Sequence, residues 1–270
     1  MGEITNILSI HKLSGGYRSF KLKDIDFTLQ KGDFAGIIGP NGSGKSTLLK
    51  MILGILRPDA GQMLYRNEDL CTMRPLRRAQ SIAVVNQRIS DTSMTVMEYV
   101  MLGRIPFRSM FQFFEKKEDI RKAEKYLEMT GILKYRNEPL SSLSGGEQQL
   151  AAMARALTQE PEFLLLDEPT SMLDISHQVQ VLDLVRRLNK ELHVTVLMII
   201  HDLNLASTYC NKLLLMNDGQ LYKNGTPQEV LHYQTIEDVY KTVVVTSDNP
   251  VTGKPTVFLV PSDKLWKIER

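Results

Sequence analysis

The segment Gly39-Pro40-Asn41-Gly42-Ser43-Gly44-Lys45-Ser46 fits the pattern G-x-x-x-x-G-K-S. Its chemistry is phosphate binding. Glycines let the backbone curl so that several N–H groups converge on phosphate oxygens, and a helix opening at the lysine adds unsatisfied donors and partial positive charge. Lys45 would reach the β- and γ-phosphates, the Ser46 hydroxyl would ligate Mg²⁺, and Thr47 would add a phosphate contact. A second chemical signal is Phe163-Leu164-Leu165-Leu166-Asp167-Glu168, an apolar run ending in two acids. Asp167 is suited to hold Mg²⁺ and Glu168 to act as general base for an attacking water. Together they imply ATP or a related nucleoside triphosphate with Mg²⁺, without separating a transporter ATPase from a kinase or a GTPase.

These residues need a scaffold that delivers them to one edge. Phe34 to Ile38 reads as a buried strand entering the Gly-rich turn, and Ser46 to Leu56 as a helix stopped by Pro58-Asp59-Ala60-Gly61. Residues 4–35 read as antiparallel strands broken by Gly15-Gly16 and Lys31-Gly32-Asp33. Short strands are expected at Ile82–Val85, Phe163–Leu166, Val194–Ile200 and Leu213–Met216. Between them, helical character is expected from Thr95 to Gly131, from just after Ser144-Gly145-Gly146 to about Gln159, over Gln178–Glu191 and over Leu203–Tyr209. Strands alternating with helices imply α/β architecture with a parallel sheet. The last 30 residues read as a small appended element with β-like runs around Asn249-Pro250 and Gly253-Lys254-Pro255.

Composition excludes several classes. Hydrophobic content of 43% and charged content of 24% are those of an ordinary globular chain. A net charge of +2 gives no reason to expect a nucleic-acid surface. Two distant cysteines, Cys71 and Cys210, argue against a disulfide framework and for a reducing compartment. The opening Met1-Gly2-Glu3-Ile4-Thr5 lacks the pattern of a secretory signal, and no apolar stretch is long enough to span a bilayer.

Leu143-Ser144-Gly145-Gly146-Glu147-Gln148-Gln149, placed between the phosphate loop and the acidic strand, resembles the signature motif of ABC ATPases. Glu147 stands where the family usually has Gln. Leu13-Ser14-Gly15-Gly16 repeats the same letters but lies ahead of the phosphate loop and precedes no helix. The resemblance implies a P-loop NTPase (RecA-like) parallel-sheet core with an N-terminal antiparallel β subdomain and an inserted α-helical subdomain. Its expected division is 1–88 with 160–235 for the core, 89–159 for the helical part, and 236–270 for the appended element. The family also implies roles for single residues. Tyr17 would stack on adenine, or be a turn aromatic. Gln87 would touch Mg²⁺ or the attacking water. Ser144, Gly145 and Gly146 would contact the phosphate of a partner's nucleotide. Asp174 would belong to the D-loop Ser171-Met172-Leu173-Asp174, and His201 would contact the γ-phosphate.

In this family ATP lies between the phosphate loop of one subunit and the signature of the other, and this chain has one of each, so a homodimer is expected. Met94-Thr95-Val96 through Leu102-Gly103-Arg104-Ile105-Pro106, the segment His201-Asp202-Leu203-Asn204-Leu205-Ala206 and Pro250-Val251-Thr252-Gly253-Lys254-Pro255 resemble subunits that import iron-siderophores, haem and cobalamin. That implies two integral-membrane permease subunits, an extracytoplasmic substrate-binding protein, and a peripheral position on the cytoplasmic face of a prokaryotic inner membrane. Phe107, Met110, Phe111, Phe113 and Phe114 with Arg104 and Arg108 read either as a permease-binding groove or as helical-subdomain core. The competing functional class is a soluble ABC ATPase acting on ribosomes or DNA. Paired cassettes or long coiled-coil insertions would mark it, and neither occurs.

Overall fold

The computed structural model describes residues 6–87, 92–109, 114–171 and 173–267. The chain divides into two compact units, Met1–Cys71 with Met198–Arg270, and Thr72–Leu197.

The first unit begins with β1 (Asn6–Tyr17), β2 (Phe20–Gln30), β3 (Phe34–Ile38), α1 (Lys45–Ile52), β4 (Ala60–Tyr65) and β5 (Glu68–Asp69). Strands β2, β1, β4 and β5 lie in that order in one antiparallel sheet. Leu22, Ile25, Phe27 and Leu29 of β2 are buried between more exposed neighbours, the mark of a sheet with one covered face. All five residues of β3 are buried, as its uninterrupted apolar run predicts.

The second unit holds α2 (Pro75–Ser81), β6 (Ile82–Val85), α3 (Val96–Met101), a 3₁₀ segment (Leu102–Phe107), α4 (Lys117–Met129), α5 (Gly145–Leu157), β7 (Phe163–Asp167) and α6 (Ile175–Leu192). Strands β6 and β7 pair in parallel, from Ile82 opposite Phe163 to Val85 opposite Leu166. Strand β8 (Thr195–Ile199) then carries the chain back to the first unit.

There the chain continues through α7 (Leu203–Tyr209), β9 (Lys212–Asn217), β10 (Gln220–Gly225), α8 (Pro227–Val230), α9 (Tyr233–Tyr240), β11 (Val244–Asp248) and β12 (Pro255–Leu259). Strand β9 runs parallel to β3, from Ala35 opposite Lys212 to Ile38 opposite Leu215, while β10 returns antiparallel to β9. Strands β11 and β12 form their own hairpin. Parallel pairs, helices between them and an N-terminal antiparallel sheet match the α/β architecture expected.

Several elements differ from the expected bounds: α6 opens at Ile175, not Gln178, because Asp174 caps it, and α5 opens at Gly145 because Ser144 caps it. Helix α1 ends at Ile52, not Leu56, because Gly54 adopts a left-handed φ of 73°. Ile55 N then donates to Lys50 O at 2.9 Å and Gly54 N to Met51 O at 2.9 Å, a Schellman-type stop that acts before Pro58 is reached. The stretch Thr95–Gly131 is not one helical run. Gly103 and Pro106 tighten its first part into the 3₁₀ segment, and α4 starts afresh at Lys117. Strands β4, β5 and β10 and helices α2, α8 and α9 were not expected; each has eight residues or fewer. Met110, Phe111, Phe113 and Met172 lie outside the described residues.

Candidate functional site

In the first unit, β3 delivers the chain to Gly39 and α1 starts at Lys45, so the phosphate loop fills the turn between them. Gly39 has φ 144°, and a Cβ there would lie 2.2 Å from Met216 O of β9, so only glycine lets the loop leave the strand on this course. Gly44 caps α1 with φ 106°. Lys45 is buried, and its Nζ donates to Gly39 O and Pro40 O, both at 2.8 Å, lying back along its own loop. Ser43 is 2% exposed and its Oγ is buried without a hydrogen-bond partner. A buried, unsatisfied hydroxyl beside a helix start fits a phosphate oxygen that would complete it. Pro40, Asn41 and Gly42 form the open side of the turn, and Thr47 is buried in the first turn of α1 beside Ser46.

Two further expected residues belong to this unit. His201 is exposed and directly follows the end of β8, where Ile200 N donates to Ile37 O at 3.2 Å. Asp202 caps α7 by accepting from Asn204 N and Leu205 N. Tyr17 stands opposite Phe20 at the end of the β1–β2 hairpin, 44% exposed, with Lys50 Nζ 5.8 Å from its ring centroid. Its ring is therefore available to stack on a flat ligand.

The second unit holds the acids. β7 is buried from Phe163 to Leu166 and surfaces at Asp167 and Glu168, both half-buried. Glu168 has φ 49°, an unfavourable left-handed backbone for a non-glycine residue, right at the strand end. Ser171 N and Ser171 Oγ both donate to Glu168 O, closing the turn that holds this conformation. Gln87, just after β6, donates from Nε2 to Glu168 Oε2 at 2.7 Å and lies 3.3 Å from Ser171 Oγ. Parallel pairing of β6 with β7 sets this contact, because both strands end on the same side. The sequence pointed to each residue separately but not to their direct contact.

The signature motif opens α5. Ser144 is its N-cap and forms a capping box: Ser144 Oγ accepts from Glu147 N, while Glu147 Oε2 accepts from Ser144 N at 3.0 Å and from Ser144 Oγ at 2.7 Å. Hydrogen bonds from Tyr135 and Ser144 hold the Glu147 carboxyl down at about 2. Glu147 is thus a built part of the helix start, which its departure from the family letter did not reveal. Gly145 has open space around it, whereas a Cβ on Gly146 would meet the His177 ring at 2.4 Å. His177 is held there by Asp174, whose Oδ1 accepts from His177 N and sits 2.9 Å from His177 Nδ1. Asp174 also accepts from Ser176 Oγ and caps α6. These hydrogen bonds, the His177 N–H foremost, lower its carboxyl to about 2.

The aromatic and arginine cluster divides. Arg104 is buried: Nε donates to Asp119 Oδ1 at 2.7 Å, Nη1 to Thr158 O at 2.8 Å, and its guanidinium lies over the Phe107 ring. It ties the 3₁₀ segment to α4 and α5 and is not part of an outer groove. Among the described members, Arg108 and Phe114 are exposed, Phe114 at 88%.

Comparison with known proteins identifies the family. The family model described as ABC transporter matches residues 22–171. An uncharacterised ABC transporter ATP-binding protein of Bacillus subtilis, YvrA, is 39% identical over 92% of this chain, which spans 57% of that protein's length. The iron(3+)-hydroxamate import ATP-binding protein FhuC of Bacillus subtilis is 37% identical over 96% of this chain and 98% of its own. Among solved structures, an inward-facing ABC transporter described as of metal-chelate type has a TM-score of 0.85 at 29% identity, covering 96% of this chain and 100% of the other. The dimeric ATP-binding cassette MJ0796, bound to ADP and phosphate, has a TM-score of 0.71 at 27% identity, covering 81% and 98%. A loop built to wrap phosphate, a strand ending in paired acids and a signature helix are found together with that match, and this chain belongs to the ABC transporter ATP-binding family.

Proposed function

We propose that this chain hydrolyses MgATP to drive import of a metal chelate through separate permease subunits. The observation that carries the reading is Glu168, held in a left-handed backbone with its carboxylate 2.7 Å from the Gln87 amide. A carboxylate steadied at a strand end by a neutral donor suits a general base that must take a proton from water. Lys45, Ser43 and the loop amides bind the phosphates. Ser46 and Asp167 would hold Mg²⁺, and Gln87 would touch it or the attacking water. His201 contacts the γ-phosphate, and Tyr17 stacks on adenine. Mg²⁺, when bound, neutralises charge on the phosphates.

The chain works as a homodimer in which Ser144, Gly145, Gly146 and Asp174 of one subunit complete the site of the other. The dimeric cassette among the similar structures supports this reading. The dimer sits beneath two permease subunits on the cytoplasmic face of the membrane, with a substrate-binding protein outside, a reading supported by the likeness to import ATP-binding proteins; no helix among the described residues is long and apolar enough to cross a membrane. An iron-siderophore is the first choice of cargo, supported by the likeness to FhuC, with haem or cobalamin next. Vesicles carrying the reconstituted complex provide the test. ATP-dependent uptake of a ferric siderophore that Glu168→Gln abolishes is the expected result; ATP hydrolysis without uptake of any of these chelates would overturn the import reading.

A further inference from the structure

Helix α7 has seven residues, too few to hold itself in water. Its start is capped by Asp202, the residue after His201. Its far end is capped from a distance: Lys254 Nζ donates to Thr208 O at 3.1 Å and to Cys210 O at 2.8 Å, carbonyls the helix itself leaves unsatisfied. Along the helix, Asn204 docks onto β12 as a strand would, accepting from Val257 N at 2.8 Å and donating to Val257 O at 3.2 Å. Ser207, 1% exposed, donates to Pro255 O at 2.6 Å. The β11–β12 hairpin therefore grips α7 along its whole length.

The same stretch reaches the phosphate loop. Val244 N at the start of β11 donates to Glu237 Oε1, tying the hairpin to α9. Tyr240, the last residue of α9, lies beside the backbone of Gly39, the first residue of the loop; burial pushes its hydroxyl up to about 12 and the Gly39 backbone opposes that rise. Gly39 and His201 leave adjacent points of the fold, since Ile200 N bonds to Ile37 O. One segment thus holds both flanks of that pair.

We propose that residues 233–259 are a brace that fixes His201 and Gly39 relative to each other, with Lys254, Asn204 and Tyr240 as positioning residues for hydrolysis. The inference rests on the roles proposed above for the phosphate loop and His201. A misplacement of about 1 Å can cost about a hundredfold in rate, so hydrogen bonds far from the phosphate matter if they set its contacts.

Steady-state hydrolysis of MgATP by the full chain tests the brace. Lys254→Met is expected to lower kcat about tenfold with KM within about twofold, and Lys254→Arg to recover most of the loss. Ser207→Ala removes one hydrogen bond and little volume, and is expected to lower kcat about threefold. This second variant serves where Lys254→Met does not fold. Tyr240→Phe acts on the loop and is expected to raise KM about threefold at nearly unchanged kcat. His201→Ala is measured alongside. If it loses turnover while folded Lys254→Met and Ser207→Ala keep full kcat, the brace is overturned and the role of His201 stands. If His201→Ala itself keeps full turnover, the role of His201 is overturned and the brace with it.

Discussion

Gln87 Nε2 lies 2.7 Å from Glu168 Oε2, so the amide after β6 donates to the carboxylate after β7. A neutral donor orients the carboxylate without giving it a proton, which leaves it able to act as base. Glu168→Gln keeps the shape but loses the basicity. Hydrolysis is expected to fall at least a hundredfold while MgATP still binds. Gel filtration should then show an ATP-trapped dimer, and a variant that stays monomeric and turns over at the parental rate would contradict the assignment.

Lys45 sits on Gly39 O and Pro40 O, two acceptors it must give up at least in part to meet phosphate. Lys45→Ala removes a charge that the phosphates need. Loss of MgATP binding by about a hundredfold or more is expected, read by titration calorimetry, with the thermal midpoint of the nucleotide-free chain shifted only slightly.

Gly146 and His177 form a close pair in the second unit, with the ring where a Cβ would go and Asp174 holding the ring in place. Gly146→Ala is therefore expected to lower the thermal midpoint and turnover together, by strain at the starts of α5 and α6. Gly146→Ala combined with His177→Ala should recover stability beyond the sum of the single effects, because one change removes the obstacle to the other. Additive losses in the double variant would show that the contact does not limit either helix.

Residues that carry chemistry in one short window were legible before the structure. The phosphate loop is contiguous, and β3 and β7 announce themselves as unbroken apolar runs, so Lys45, Asp167 and Glu168 could be placed on a turn and a strand end. Contacts between distant windows were not legible. Nothing in the letters around Asn204 and Lys254 pairs them with Val257 and Thr208, because these bonds depend on where the β11–β12 hairpin folds back. Glu147 looked like a tolerated departure and is a capping-box acid, a role readable from the Ser-x-x-Glu spacing alone. Between a groove and a subdomain core the letters left Arg104 undecided, because its partner Asp119 stands on α4, beyond the 3₁₀ segment.

That buried pair gives a stability prediction. Arg104 and Asp119 side chains are each 8% exposed and 2.7 Å apart. Arg104→Ala strands the Asp119 carboxylate and is expected to destabilise the chain by ~3 kcal/mol or more, read by urea unfolding. Replacing both residues, Arg104→Met with Asp119→Leu, should cost much less, since no buried charge is left unpaired. A double variant as unstable as Arg104→Ala would assign the loss to packing against Phe107.

Glu147 supplies the pH dependence. Its carboxyl is lowered from 4.5 to about 2 by hydrogen bonds from Tyr135 first and Ser144 second, so the folded state prefers the ionised form. A lowered folded value means a contribution that is complete above the unfolded value of 4.5 and fades as pH falls through about 2. Glu147→Gln keeps an acceptor for Ser144 but does not titrate. The variant should be less stable than the parent at pH 6, by less than about 1 kcal/mol because the group is near solvent. Thermal midpoints of the two chains should converge as pH is lowered toward 3. A constant gap over that range would mean that the loss comes from hydrogen-bond geometry, not from the carboxylate charge.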